Sequence, residues 1–427
     1  MEKKVDYCPM WEKLGMDIEA HQQLMNALPS MFQEAILDQP NRPRGMDYFD
    51  LAMMEIHGAR IREILNHKED GRKVVGAFCL YVPEEVVLAA GGIMVGLCGG
   101  AEVGIAEAEV LLPRNLCPLI KSSLGFKLSR MCPYFQSADL VVGETTCDGK
   151  KKMYEILRDF APVYVMELPQ TKSLPAKELW FEEVKRFKVE VEKLTGNQID
   201  EKSLGEAIKF TNRRRKILQR LNETRQANPA PISGRDALLV SMIAFFDDYN
   251  RFSEKASALC EELEARVAQR EGVSDPSTPR LMISGTPMAA PNWKLPHLIE
   301  NSGGVVVCEE ACTGQRLFRE LVDESNSSVE AQLRAISERA LKYDCACFTP
   351  NDDRIRNIVK LAKEYHVNGV VYGVLQNCQT YSVESYRVEQ ALKRINIPMY
   401  KVEYDYGIGD VGQLKTRIEA FIEMISK

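Results

Sequence analysis

Three cysteines, Cys117, Cys132 and Cys147, recur with fourteen residues in each gap. Cys117 and Cys132 each precede proline, which donates no backbone hydrogen bond and holds the chain in a turn. Cys147, in Thr145-Thr146-Cys147-Asp148-Gly149, follows the apolar run Leu140-Val141-Val142 and precedes a helix predicted over 150–160. Thiols at strand ends and helix starts lie among unpaired backbone N–H groups, which stabilise thiolates and the sulfides of a cluster. The stretch reads as half of an iron–sulfur site. The competing reading is three buried cysteines packed as small hydrophobes.

A second set lies further along: Cys308 and Cys312 in Cys308-Glu309-Glu310-Ala311-Cys312-Thr313-Gly314, then Cys345-Ala346-Cys347, then Cys378 after Leu375-Gln376-Asn377. Each group follows a strand pattern or sits in a loop. Cys345 and Cys347 flank one alanine, so an extended backbone turns both to one side. Convergent thiolates from several loops are how clusters are held. Cys260, in a helical pattern, and Cys8, in the terminal segment, read as inert.

Composition narrows the class. Apolar content of 45% and charged content of 27% describe a soluble globular chain, and a net charge of −6 argues against nucleic acid as a partner. The start, Met1-Glu2-Lys3-Lys4-Val5-Asp6-Tyr7, opens no signal-peptide core, and no apolar run approaches the ~20 residues that span a bilayer. A cytoplasmic location is expected, where twelve cysteines favour metal over disulfides. With five histidines and no CxxC pair, a zinc site is disfavoured. The basic cluster Arg213-Arg214-Arg215 reads as a solvated helix face.

The elements that must position these thiols follow from patterning. Residues 1–70 read as a helical N-terminal segment, with Leu51, Met54, Ile61, Ile64 and Leu65 at helical spacing, suited to packing or dimerisation. Residues 71–175 alternate strands (73–78, 93–97, 140–142, 162–166) with helices. Residues 176–275 are charged and helical, an insertion. Residues 276–427 resume the alternation, with strands at 280–285, 304–308, 369–375 and 398–402. The fold class is α/β, with two parallel-sheet domains of similar plan. Ligands of such sheets gather outside the carboxyl ends of the strands. Gly407-Ile408-Gly409-Asp410-Val411-Gly412 matches GxGxxG but is followed by one helix only, so an anion-binding turn is expected rather than a dinucleotide site.

The segments Asn115-Leu116-Cys117-Pro118-Leu119-Ile120-Lys121, Thr145-Thr146-Cys147-Asp148-Gly149-Lys150-Lys151-Lys152-Met153-Tyr154-Glu155 and Gly412-Gln413-Leu414-Lys415-Thr416-Arg417-Ile418-Glu419-Ala420-Phe421 resemble the 2-hydroxyacyl-CoA dehydratase family, from about residue 70 to the C-terminus. The resemblance implies two Rossmann-like domains plus a helical part. It also implies a four-iron cubane on three cysteines, which map onto Cys117, Cys147 and Cys378. The surroundings of Cys132, Cys312 and Cys345 resemble the double-cubane branch, in which six cysteines hold an 8Fe-9S cluster. Cys308 and Cys347 stand as substitutes in the second set. Lys121, Lys150 and Glu144 are expected to support the cluster from behind its ligands.

The resemblance implies a reductase that takes low-potential electrons from an ATP-hydrolysing activator and passes them to a small molecule. The alternatives are a single 4Fe-4S dehydratase subunit that eliminates water by a radical route, and a non-catalytic electron carrier. No GxxxxGK[ST] occurs, so ATP hydrolysis is expected in a separate partner. A homodimer is expected, since two-fold dimers are the commonest assembly.

Overall fold

The computed structural model describes residues 5–97 and 99–426; Met1 to Lys4 of the opening segment lie outside them. Two four-stranded parallel sheets form the frame. The first comprises β1 (Val74–Ala77), β2 (Ile93–Gly96), β3 (Leu140–Glu144) and β4 (Val163–Met166), in the order β2-β1-β3-β4. The second comprises β5 (Arg280–Gly285), β6 (Val305–Glu310), β7 (Gly369–Leu375) and β8 (Met399–Tyr404), in the order β6-β5-β7-β8. The two orders are the same, so the halves share one plan. Every residue of β5, β6 and β7 is buried, as expected for parallel strands covered by helices on both faces. The α/β class with two Rossmann-like sheets read from the sequence is the observed one.

The charged middle region forms four helices, Leu174–Thr195, Glu201–Thr224, Gly234–Ile243 and Tyr249–Gln269. Asp200 caps the second through a capping box with Ser203, and Asp248 caps the fourth. Gly234–Ile243 is buried throughout and shares one hydrophobic core with residues of both sheets.

The N-terminal segment is helical, as expected, and its apolar-patterned stretch is broken at Gly58. Met46–Met54 ends before Gly58, and a second helix runs Ala59–Glu69. A side chain at Gly58 would meet the Tyr7 ring at 2.4 Å, and the Trp11 indole donates to the His57 carbonyl at 2.8 Å. The bend therefore makes room for the incoming terminus. Of the apolar residues expected on an open face, Ile61 and Ile64 are fully buried within this chain, whereas Leu51 and Met54 are 55% and 53% exposed.

The loop at Gly407 differs from an anion-binding turn. Lys294 Nζ donates to the carbonyls of Asp405 and Gly407 and pairs with Asp410, so the turn offers acceptors to a cation of its own chain.

Candidate functional site

The carboxyl ends of the two sheets face one cavity of about 600 Å³. Among the described residues, seven thiols line it: Cys79, Cys117, Cys147, Cys312, Cys345, Cys347 and Cys378. Cys79 follows β1, Cys147 follows β3, Cys312 follows β6 and Cys378 follows β7. Close interdomain contact shapes the cavity as well. The Gly100 N–H donates to the Ala290 carbonyl at 3.2 Å, and a side chain on Gly100 would meet the Ala289 carbonyl oxygen at 1.8 Å.

Three of the thiols sit at helix N-caps: Cys117 before Pro118–Leu128, Cys147 before Asp148–Leu157 and Cys378 before Gln379–Lys393. The first-turn N–H groups of a helix have no intrahelical partner, and its dipole places positive potential there. At Cys117 the Cys378 thiol donates a hydrogen bond and the Leu119 and Ile120 N–H groups add to it, which lowers the Cys117 pKa. Cys378, as the donor of that pair, is raised. Burial raises Cys147, against the Lys150 N–H. In the other set the Cys347 thiol donates to Cys345 and lowers it to about 6, while burial raises Cys312 and Cys79.

Cys132, expected among the ligands, lies elsewhere. It is fully buried in the hydrophobic core beside Met131, Tyr134 and Phe135 and does not line the cavity. The helix Pro118–Leu128 accounts for this. Its 11 residues carry the chain about 16 Å, from the carboxyl end of the first sheet toward the opposite end. Cys132 then opens the short helix Pro133–Ser137, which leads directly into the start of β3. The even spacing of the three cysteines thus places the middle one at the wrong end of the sheet. Cys308 is likewise interior, within β6 opposite Met282, whereas Cys347 does reach the cavity. Cys260 is buried on its helix with its thiol on the Ile217 carbonyl, away from the cavity, and Cys8 lies in the terminal helix.

Cys79 was missed by sequence reasoning, although it stands just past the apolar run Val74–Ala77, the position that marked Cys147. A second omission is the buried ionic wall. Arg214 and Arg215 line the cavity at 2% and 1% exposure, and only Arg213 faces solvent, so the basic cluster is not a solvated face. Arg214 donates to Glu84 at 2.6 Å, and Arg215 donates to Glu84 and Glu85 at 2.6 Å each. The Tyr249 hydroxyl adds a bond to Glu84 at 2.7 Å. Glu84 and Glu85 open the helix Glu84–Ala89, which packs against the long helix Glu201–Thr224 that carries both arginines.

Of the expected supporting groups, Lys150 lines the cavity and pairs with Glu144, which also accepts from Thr146 Oγ1 at 3.0 Å. Burial opposes the Lys150 charge, but Glu144 beside it holds the ammonium well above its ordinary range. Lys121 instead turns to Glu109, at 2.8 Å, and to the Arg114 carbonyl, and does not reach the cavity.

The donor set is sulfur-rich, and no histidine lies among the described lining residues. No three His, Cys, Asp or Glu side chains among the described residues stand close enough to hold a single metal ion. Thiols spread around a cavity of this size suit a polynuclear iron–sulfur group, whose irons are held by thiolates converging from several loops.

A two-domain α/β protein with thiols converging between its sheets defines the class, and the family follows. Residues 79–425 match HGD-D, the 2-hydroxyglutaryl-CoA dehydratase D-component family, and the chain belongs to it. It is 42% identical to the candidate dehydratase subunit YjiM of Escherichia coli over 85% of this chain and 94% of that one. The (R)-phenyllactyl-CoA dehydratase beta subunit of Clostridium sporogenes is 24% identical, over 85% and 94% of the two chains. A subunit of the benzoyl-CoA reductase of Thauera aromatica is 20% identical, over 84% and 92%. The family thus spans dehydratase and reductase subunits, and its members are enzymes. No helix among the described residues is long and apolar enough to cross a membrane.

Proposed function

We propose that the cavity holds a double-cubane 8Fe-9S cluster and that the protein is a cytoplasmic reductase of a small molecule. Cys117, Cys147 and Cys378 would bind one cubane. Cys79, Cys312 and Cys345 would bind the other, with Cys79 in the place first expected of Cys132. The observation that carries this reading is seven thiols lining one cavity, more than a single four-iron cluster on three cysteines requires. When bound, the cluster would supply low-potential electrons one at a time.

The chain's own residues do the rest. Helix N-termini offer N–H groups to Cys117, Cys147 and Cys378. Met94, Leu97, Met242, Phe245 and Leu317 form an apolar wall that limits water around the thiols. The Lys150 ammonium, paired with Glu144, offsets thiolate charge near Cys147. An ATP-hydrolysing iron–sulfur activator would deliver the electrons, since no P-loop occurs in the sequence. A homodimer is part of the proposal, with Leu51 and Met54 as its exposed apolar contacts; light scattering of anaerobic protein tests it.

The second reading is a dehydratase subunit with a single cubane on Cys117, Cys147 and Cys378, favoured by the dehydratase names of several relatives. Iron and acid-labile sulfide analysis of anaerobically purified protein separates the two. About eight irons per chain support the first reading. Four favour the second, and zinc without sulfide overturns both.

A further inference from the structure

We propose that Tyr381, held in place by Arg316, donates a hydrogen bond to the Cys345 thiolate. By doing so it raises the reduction potential of the cluster half bound by Cys312 and Cys345. The inference rests on the reading above, in which those two thiolates carry iron.

Tyr381 lies in the first turn of the helix Gln379–Lys393, three residues past Cys378, and lines the cavity. Its hydroxyl oxygen is 4.0 Å from Cys345 Sγ, the outer reach of a hydrogen bond to sulfur. Arg316 Nη1 donates to the same oxygen at 2.7 Å. A guanidinium only donates, so it occupies an oxygen lone pair and leaves the hydroxyl hydrogen for another acceptor. The Cys345 sulfur is the acceptor at hand. The Arg316 charge also favours the thiolate form of both Cys312 and Cys345.

Arg316 is itself fixed. Its Nε and Nη2 donate to Glu310 Oε1 at 2.9 and 2.6 Å. Glu310 in turn accepts from Arg354 at 2.9 Å and from the Ser284 hydroxyl at 2.7 Å. All three charged residues are at most 1% exposed. In so dry an environment, charges and dipoles act with little screening. The thiols of the first set likewise receive bonds from backbone N–H groups and from one another, as Cys345 does from Cys347, so the Tyr381 hydroxyl and the Arg316 guanidinium are what the second set adds. Hydrogen bonds and positive charge near cluster sulfurs favour the reduced, more negative state. The Tyr381 hydroxyl and the Arg316 charge therefore push the potential of this half upward.

The test uses the anaerobically isolated full chain and two variants. Tyr381→Phe removes the hydroxyl and keeps the ring. Tyr372→Phe removes another buried hydroxyl of the same network, one that donates to the Tyr381 carbonyl at 3.2 Å rather than to sulfur. Midpoint potentials are read by EPR-monitored titration. Exchangeable-proton couplings are read by ENDOR after transfer to deuterium oxide. The expected result is a negative shift of the midpoint and loss of one exchangeable coupling in Tyr381→Phe at full iron content, with both retained in Tyr372→Phe. An unchanged midpoint in Tyr381→Phe overturns the proposal, as does an equal shift in both variants. Loss of iron from Tyr381→Phe alone also overturns it, by showing a purely structural role. Wild-type protein without iron at Cys312 and Cys345 overturns the cluster reading instead, and is seen before any variant is made.

Discussion

Glu84 is the most exacting test of the cavity wall. It accepts three hydrogen bonds from buried or half-buried groups: Arg214, Arg215 and Tyr249. Burial alone would raise its pKa, but the two guanidiniums outweigh that and hold it at about 2, against an ordinary 4.5. Glu84→Gln keeps the shape and removes the charge, leaving Arg214 with no carboxylate and Arg215 with Glu85 alone. Removing one partner of a buried ion pair costs about 3–5 kcal/mol, because the remaining charge stays desolvated. A fall from 4.5 to about 2 corresponds to roughly 3 kcal/mol, which agrees. Because the folded pKa lies below the unfolded one, this contribution is complete above pH 4.5 and is lost as pH falls through about 2. The assay is denaturant unfolding of the cluster-free protein, followed by circular dichroism from pH 7 down to 3. Glu84→Gln should lose about 3–5 kcal/mol at pH 7 and show a flatter acid limb. Adding Arg214→Met should restore part of the loss, since the two side chains are in direct contact. A loss below about 0.5 kcal/mol, or full additivity of the two changes, would refute the reasoning.

Three further outcomes are expected. Cys147→Ala and Cys79→Ala should each lower bound iron, whereas Cys132→Ala and Cys260→Ala should retain it; equal iron in all four folded variants would end the cavity assignment. Gly100→Ala should fail to accumulate as folded protein or should lose cluster, because its Cβ would lie 1.8 Å from the Ala289 carbonyl oxygen, and wild-type solubility and iron would count against the close interdomain contact. Turnover with a reduced activator protein and a reducible small molecule should require ATP under strict anaerobiosis, and equal turnover without ATP would remove the gated donor.

Much of the fold was legible in the sequence because its signals are local. Short apolar runs such as Val74–Ala77 and Gly369–Leu375, each followed by helical patterning, report parallel strands wherever they occur. The same locality marked Cys147 and Cys378, which stand between a strand and a helix, and the motifs around Cys117 and Cys147 were specific enough to identify the family. The bend at Gly58 was not legible, because its cause, the Tyr7 ring, lies far away in the chain.

What the sequence alone determined, then, was the α/β plan, the family and, among the thiols past strand ends, Cys147, Cys312 and Cys378 but not Cys79. Tertiary structure decided which cysteines share a cavity. Spacing treats Cys117, Cys132 and Cys147 alike, but an intervening helix carries Cys132 to the far end of the sheet and into the core. Tertiary structure also turned Arg214 and Arg215 inward. A run of arginines on a helix is solvated unless carboxylates from elsewhere meet it, and Glu84 and Glu85 are some 130 residues away in the chain. Burial and long-range pairing depend on which surfaces meet, and that is a property of the packed molecule rather than of any one segment.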